Sequence, residues 1–352
     1  MALAIWLLWH TTQSCLGRAR DRIFTAPLHS LALLQSPIAL LKLPRRSPVS
    51  DSKALPQAAM GVSPRLVVVM VAATLLPLAA SELIELSYTF NDDAPTSPRL
   101  RQFKQELVRK GRNKINLWVE LYDICTSEHA GTHIDAPRHN SENGWTLEAI
   151  PTSRLWRIPA VVVDVSKTIK EKRLKNYEVN QKDLMDWEAQ HGVIPDGALV
   201  FIHTGWGKMV RNYWSYAGLD QNNNLNFPGI GKGGAEWLAN HGKNNSHTIG
   251  IVGVGIDTLS LDKGQSVRMP AHAALFAGNI YGLENVANLD KLPTVGSYVT
   301  VMPLRIKGGT GAPARIIAEV GQGSSALAST LRPLLTGLLL PFILALRFLQ
   351  DA

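Results

Sequence analysis

The sequence has little cysteine and little charge, and both shortages limit the classes of protein to which it can belong. Only Cys15 and Cys125 occur among its 352 residues. If the first 80 residues are removed, Cys125 has no partner within the chain, so the remaining domain must depend on its core and on any metal. Charged residues make up 18% and hydrophobic residues 45% of the chain, which excludes a disordered or collagen-like protein.

The positive charge is concentrated near the N-terminus. The chain has a net charge of +8, but residues 1–80 contain 8 of its 36 basic and only 2 of its 28 acidic residues. Residues 324–352 contain 2 basic and 1 acidic residue, which leaves the middle of the chain with a net charge of +1. We therefore expect no nucleic-acid partner, because the basic residues do not form a patch on a folded domain.

Residues 60–80 have the pattern of a secretory signal peptide. Met60 and Arg65 precede an apolar run that ends in small residues near Ala80. A buried strand or a membrane anchor is the alternative, although the run is shorter than the ~20 apolar residues that a membrane span needs. Residues 1–59 have no sustained helical or strand period, and we interpret them as a non-globular extension upstream of a start at Met60.

Residues 323–352 resemble a lipid-anchor signal, with small residues followed by a hydrophobic stretch from Leu334 to Phe348. A membrane helix or a docked helix is the alternative. Together, the two ends predict a secreted or cell-surface protein that contacts the membrane only through this tail or its lipid.

Residues 81–322 read as one α/β domain. Runs rich in β-branched residues and bounded by Gly, Pro or Asp predict strands, and these are Ile158–Val165, Ala198–His203, Thr248–Val254, Tyr298–Met302 and Ala314–Val320. Capping signals and apolar periodicity predict helices at Asn180–Gln190, Gly234–Asn240 and Ser97–Lys110. We expect sheet strands that are buried on both faces.

The stretch from His129 to His139 is the most informative part of the chain. It places His129, His133, Asp135 and His139 within eleven residues. Gly131, Thr132 and Pro137 lie among them and disfavour a helix, but either a helix or a strand with its loop brings two imidazoles and a carboxylate together. This set of ligands suits Zn²⁺, Mn²⁺ or Fe²⁺ rather than Ca²⁺. The alternative is a polar surface loop with incidental histidines.

The pattern His-x-Gly-Thr-His-x-Asp-x-Pro-x-His in this stretch resembles the signature of the cyclase superfamily, the metal-dependent hydrolases related to kynurenine formamidase and isatin hydrolase. Further similar stretches surround His272, Glu284 and residues 288–293 and 309–315, and the resemblance covers roughly residues 83–320. It implies a single α/β domain around a mixed, barrel-like sheet with flanking helices, in a homo-oligomer.

The resemblance also implies the roles of the site residues. His129, His133 and Asp135 would bind a first metal, and Asp135 and Glu284 would bridge to a second metal that His272 also holds. His139 would transfer protons. The cofactor would be one or two Zn²⁺ or Mn²⁺ ions per chain, and the substrate a small amide.

Three functions stay open at this point. The carboxylate of Glu284, which isatin hydrolase lacks at this position, favours an arylformamidase that converts N-formylkynurenine to kynurenine and formate. The alternatives are an isatin-hydrolase-like cyclic amide hydrolase and a catalytically silent metal-binding surface protein. Outside the cluster, Asp257 ends a predicted strand, where it would either orient a ligand histidine or cap a loop.

Overall fold

The structure is a computed structural model that describes residues 81–243 and 249–321. The predicted upstream extension (1–59), signal peptide (60–80) and C-terminal tail (323–352) lie outside these residues and stay predictions. Within the described ranges, none of the helices is long and apolar enough to cross a membrane. Cys125 is disulfide-bonded in this structure.

The part of the chain that the structure describes contains twelve strands and five α-helices. The strands are β1 (Glu82–Glu85), β2 (Lys104–Arg112), β3 (Trp118–Cys125), β4 (His133–Asp135), β5 (Ile158–Asp164), β6 (Glu178–Val179), β7 (Leu199–His203), β8 (Gly229–Ile230), β9 (Gly253–Ile256), β10 (Tyr281–Glu284), β11 (Ser297–Pro303) and β12 (Gly311–Val320). The helices are α1 (Ser166–Lys172), α2 (Gln181–His191), α3 (Tyr213–Ala217), α4 (Lys232–Asn240) and α5 (Pro270–Ala277).

Seven of the strands close into a barrel-like sheet. Their order is β12-β11-β5-β7-β9-β10-β4, and β4 pairs again with β12, which completes the ring. Strands β5, β7, β9 and β10 run parallel, whereas the other pairings are antiparallel, so the sheet is mixed as expected. Strand β1 pairs antiparallel with the C-terminal end of β12, from Glu82↔Val320 to Glu85↔Ile317. The expected α/β fold around a mixed, barrel-like sheet is therefore confirmed.

The parallel strands are buried on both faces, and this explains their continuous apolar sequences. In β5, Ala160 and Val162 pack into one hydrophobic cluster, whereas Val161 and Val163 pack into another that includes residues of α2, α4 and α5. Alternate residues of a strand point to opposite faces, so one cluster fills the barrel and the other lies beneath the helices. The layer of helices brings the first turn of α5 next to the sheet.

The capping signals predicted the helix near residue 180 correctly. The Asn180 side chain accepts hydrogen bonds from the backbone N–H groups of Lys182 and Asp183, and the Asp183 carboxylate accepts from the Asn180 backbone N–H. This reciprocal capping box satisfies donors that the helix itself leaves unpaired. Helix α2 ends at His191, directly before Gly192.

The predicted helix over Ser97–Lys110 is wrong. Residues 104–112 form β2, which pairs antiparallel with β3 from Lys104↔Cys125 to Arg112↔Trp118. The turn between the strands is closed by Asn113, whose side chain accepts hydrogen bonds from the backbone N–H groups of Ile115 and Leu117. The helical periodicity was a local signal, and pairing with the aromatic and β-branched residues of the following strand overrides it.

The closed barrel leads to a prediction about stability. Leu199 is fully buried in the cluster that fills the barrel, whereas Leu304 is 58% exposed. We expect Leu199→Ala to lower the free energy of unfolding by about 2–5 kcal/mol, because it removes buried methyl groups and leaves a cavity. The matched variant Leu304→Ala should change it by less than about 0.5 kcal/mol. Denaturant unfolding monitored by circular dichroism measures both, and equal effects would contradict the assignment of the core.

Candidate metal centre

Strand β4 positions the centre of the candidate site. It is only three residues long, and its outer residues His133 and Asp135 share one face, while Ile134 points into the barrel core. β10 pairs with β4 so that Glu284 lies opposite His133. The sheet therefore brings together two carboxylates and an imidazole from distant parts of the sequence, and all three residues are at most 5% exposed.

Two further histidines reach this face from outside the sheet. His129 lies in the loop before β4, and its Nδ1 is 2.5 Å from Asp135 Oδ1. His272 lies in the first turn of α5, and its Nε2 is 3.5 Å from Asp135 Oδ2 and 3.2 Å from Glu284 Oε1. The structure thus brings the five predicted ligands, His129, His133, Asp135, His272 and Glu284, into one cluster.

The residues between the histidines have structural roles. Gly131 has a φ of 65°, in the left-handed region that glycine adopts readily, and its carbonyl accepts a hydrogen bond from His133 Nδ1. The Thr132 hydroxyl donates to the backbone carbonyl of Asn285, which fixes the loop against the end of β10. Pro137 begins a short 3₁₀ turn that ends at His139, and this turn places the His139 ring 4.0 Å from that of His129.

Each of the three histidines that face Asp135 has one ring nitrogen held by a group outside the cluster. Nδ1 of His133 bonds the Gly131 carbonyl, and Nδ1 of His272 lies 2.6 Å from Asp262 Oδ2. For His129 the outer nitrogen is Nε2, which lies 3.0 Å from Thr310 Oγ1. The other nitrogen of each ring faces the carboxylates, and metal-binding histidines are held in this way.

The atoms at the centre fit a divalent metal. His133 Nε2 and Asp135 Oδ2 are buried and have no hydrogen-bond partner, which is costly for groups that only pack. His133 Nε2 lies 3.2 Å from Asp135 Oδ1 and 3.4 Å from Glu284 Oε2. Ligands at 2.0–2.2 Å from a tetrahedral zinc are about 3.3–3.6 Å apart, so these spacings suit a shared ion. Imidazole and carboxylate together suit Zn²⁺ or Mn²⁺.

The charges in the cluster change its pKa values. Burial by itself lowers the pKa of His133, but the neighbouring Asp135 and Glu284 outweigh it and raise the pKa to about 10. Burial raises the pKa of Asp135, yet the surrounding histidines hold it well below its usual value. In the metal-free chain the ionised carboxylate of Asp135 therefore faces a protonated His133, whose positive charge a bound cation would replace.

His139 lies at the accessible side of the cluster and is only partly buried. Burial, together with the charges of His129 and His272, lowers its pKa despite the opposing effect of Asp135. A neutral His139 at pH 7 can accept a proton. Its ring nitrogen also lies close enough to His129 and Asp135 for the three residues to hold an ion together. The geometry thus leaves both roles, proton transfer and metal binding, open to this residue.

Asp257 lies outside the cluster and contacts none of its histidines. Its Oδ1 accepts hydrogen bonds from the backbone N–H and the hydroxyl of Thr204, and its Oδ2 accepts one from the Gly207 N–H. Asp257 therefore caps the loop after β7, which was one of its two expected roles. His203, at the end of β7, is buried and bonded to Asp164.

Asp262 is a site residue that sequence reasoning missed. It holds Nδ1 of His272 and also accepts hydrogen bonds from the backbone N–H groups of Ala271 and His272 at the start of α5. The same carboxylate thus orients the ring and anchors the helix that carries it. The sequence contains no periodic signal for this contact, because Asp262 lies in the irregular segment that precedes the helix.

Comparison with known proteins assigns the chain to a family. Residues 84–263, about half of the chain, match the model of the Cyclase family, which is described as "Putative cyclase". The chain belongs to this family. Among curated proteins, it is 33% identical to the isatin hydrolase of Roseibium aggregatum over 206 residues, which cover 56% of this chain and 73% of that protein. It is 26% identical to the kynurenine formamidase of Salinibacter ruber, over 58% of this chain and 82% of the relative.

Solved structures give the same result for this member of the cyclase family. Isatin hydrolase A from Labrenzia aggregata, bound to benzyl benzoate, is 30% identical with a TM-score of 0.61, and the match covers 72% of this chain and all of that one. An isatin hydrolase bound to the product analogue thioisatinate is 26% identical with a TM-score of 0.61, over 74% of this chain and all of that one. The chain is thus a cyclase-family hydrolase, and its His, Asp and Glu cluster lies where the sheet closes.

The raised pKa of His133 predicts that metal binding releases protons. At pH 7 this imidazole is protonated in the metal-free chain, and its lone pair is available only after the proton leaves. The affinity for Zn²⁺ should therefore rise as the pH is raised from about 6 to about 8. Isothermal titration calorimetry in two buffers with different ionisation enthalpies measures the released protons, and heats that do not depend on the buffer would contradict the prediction.

The contacts of Asp262 predict that it strengthens metal binding through His272. Asp262→Asn removes the charge that orients Nδ1, so we expect the affinity for Zn²⁺ to fall about 10- to 100-fold. Asp92→Asn, at an exposed position away from the cluster, serves as the matched control. Competition with a chromogenic chelator measures both affinities, and an unchanged affinity in Asp262→Asn would show that the carboxylate only anchors α5.

Proposed function

We propose that this protein hydrolyses a C–N amide bond as an arylformamidase, with N-formylkynurenine as the type of substrate. The observation that carries the proposal is the position of Glu284, which lies within 3.4 Å of His133 and 3.2 Å of His272. A carboxylate at this point lets the cluster hold two ions, because Asp135 faces three histidines and Glu284 faces two of the same three. The relatives named kynurenine formamidase support the same reaction.

Hydrolysis of a cyclic amide such as isatin is the second candidate. It is favoured by the identity of 33% to an isatin hydrolase, which is higher than the 26% to the formamidase of Salinibacter ruber. Both reactions break a bond between a carbonyl carbon and an aryl-bound nitrogen and add one water molecule. They differ in whether the two products separate or remain one molecule.

The residues of the cluster divide the chemistry between them. His129, His133, Asp135, His272 and Glu284 would hold the metal, and a bound divalent metal lowers the pKa of water and polarises the amide carbonyl. His139 accepts a proton from the attacking water, since its pKa is lowered, and delivers it to the leaving nitrogen. Water oxygen thus joins the carbonyl carbon as the C–N bond breaks, and the nitrogen leaves as a neutral amine.

The surroundings of His139 fit this role. Its ring centroid lies 5.8 Å from that of His272 and 6.4 Å from that of Phe276, so it borders both the ligands and an aromatic side chain. Phe276 lies on α5, is itself fully buried and packs edge-on against His272. His139 therefore combines access to solvent with contact to the cluster.

The role of His139 can be tested by removing its side chain. We expect His139→Ala to keep its metal and to lose about 10²- to 10⁴-fold in kcat, because only the proton-transfer group is removed. Metal content by mass spectrometry and hydrolysis of N-formylkynurenine are measured on the same sample. His191→Ala, on the distant end of α2, is the control. If His139→Ala loses metal together with activity, His139 is a ligand instead.

The number of metals depends on Glu284. We expect the parent protein to bind two divalent ions and Glu284→Gln to bind one, because the amide replaces a carboxylate that faces both His133 and His272. Metal stoichiometry is measured after dialysis, and hydrolysis of N-formylkynurenine and isatin is assayed side by side. One metal in the parent protein, with turnover of isatin only, would favour the cyclic amide hydrolase.

A further inference from the structure

The ring of His129 lies against Thr310 and Gly311, where the chain enters β12. Gly311 lies opposite Asp135 in the pairing of β12 with β4. A Cβ atom at Gly311 would lie 2.6 Å from Cε1 and 2.9 Å from Nδ1 of His129, which is closer than side chains tolerate. The absence of a side chain at this position lets the imidazole approach the strand closely and reach the carboxylate of Asp135.

The side chain of Thr310 connects this ring to an acidic residue. Thr310 Oγ1 lies 3.0 Å from His129 Nε2 and 2.7 Å from Glu128 Oε2. Glu128 Oε2 also accepts a hydrogen bond of 2.9 Å from the backbone N–H of Thr310. The carboxylate therefore holds Thr310 at two points, so the rotamer of the hydroxyl is fixed by its neighbour and not by solvent.

These contacts place a proton on Nε2 of His129. A threonine hydroxyl has one proton to donate, and a carboxylate can only accept. The hydroxyl proton of Thr310 is therefore directed to Glu128, and its oxygen accepts the proton on His129 Nε2. Nε2–H is thus fixed, which leaves Nδ1 as the nitrogen whose lone pair can face the metal. In the metal-free chain Nδ1 donates to Asp135 Oδ1 at 2.5 Å, and a bound metal would take the place of this hydrogen bond.

We propose that Thr310, held by Glu128, is a positioning residue that fixes the tautomer and the orientation of His129 for metal binding. The inference rests on the proposed role of His129 as a ligand. His133 and His272 are oriented by a backbone carbonyl and by a buried carboxylate, respectively. The orientation of His129 depends instead on the half-buried hydroxyl of Thr310. A single substitution of Thr310 can therefore show how much this orientation contributes to metal affinity.

The test compares three substitutions of threonine in the full-length protein. Thr310→Val keeps the shape of the side chain and removes the hydroxyl, and we expect the affinity for Zn²⁺ to fall about 10- to 100-fold. Thr310→Ser restores the hydroxyl and should bind Zn²⁺ within about threefold of the parent. Thr126→Val is the matched control, because Thr126 is also half-buried and its hydroxyl bonds only the Ser127 carbonyl among the described contacts.

A second readout distinguishes orientation from a loss of folding. Long-range ¹H–¹⁵N NMR spectra of the Zn²⁺-loaded protein report which nitrogen of His129 is protonated. In the parent and in Thr310→Ser we expect Nε2–H with Nδ1 bound to the metal, and in Thr310→Val a broadened or shifted Nε2 signal. Thermal unfolding of each variant in the metal-free state identifies a general loss of stability.

Two results would overturn the inference. If Thr310→Val binds Zn²⁺ as tightly as the parent and shows the same His129 tautomer, Thr310 only packs. If Thr310→Val and Thr310→Ser both lower the unfolding temperature of the metal-free protein and both lower its metal affinity, the effect is structural. In contrast, a parent protein that binds no metal at all would reject the proposed function itself, so the two failures are distinguishable.

Discussion

The buried carboxylate of Asp135 is the group on which the candidate site depends. It is 1% exposed and lies within 2.5–3.5 Å of ring nitrogens of His129, His133 and His272. A carboxylate that is removed from water loses several kcal/mol of solvation unless charges and hydrogen bonds replace it. Here the replacement comes from three imidazoles, or from a metal that they share. The Asp135 carboxylate thereby connects the loop before β4, β4 itself and α5.

The same short strand that carries Asp135 also closes the barrel. β4 pairs with β10 on one side and with β12 on the other, so its position is fixed by both neighbours. Because its side chains alternate, Ile134 packs into the barrel while His133 and Asp135 face outwards to α5. Ligands on a strand that is held on both edges are oriented more accurately than ligands on a free loop. Fold stability and metal geometry are therefore coupled in this family member.

Hydrogen bonds to groups outside the cluster orient the three histidines that face Asp135. A backbone carbonyl, a carboxylate and a hydroxyl hold the outer nitrogens of His133, His272 and His129. Each acceptor comes from a different segment of the chain, so the three rings are oriented independently. This explains why Gly131 and Thr132, which bind no metal, occur between the histidines: they build the loop that supplies the carbonyl and fix it to the end of β10.

Features that depend on neighbours along the chain could be predicted from the sequence alone. The spacing from His129 to His139 identified the ligands of one segment, β-branched runs identified β5 and β7, and capping residues identified α2, since all of these are short-range signals. His272 and Glu284 could be assigned only by resemblance to a family. Three other contacts could be seen only in the tertiary structure: the pairing of β2 with β3, the contact of Asp262 with His272, and the hydrogen bond between His129 and Thr310. They join residues whose contact leaves no periodic trace in sequence, because a hydrogen bond between distant segments requires only that folding brings one donor and one acceptor together.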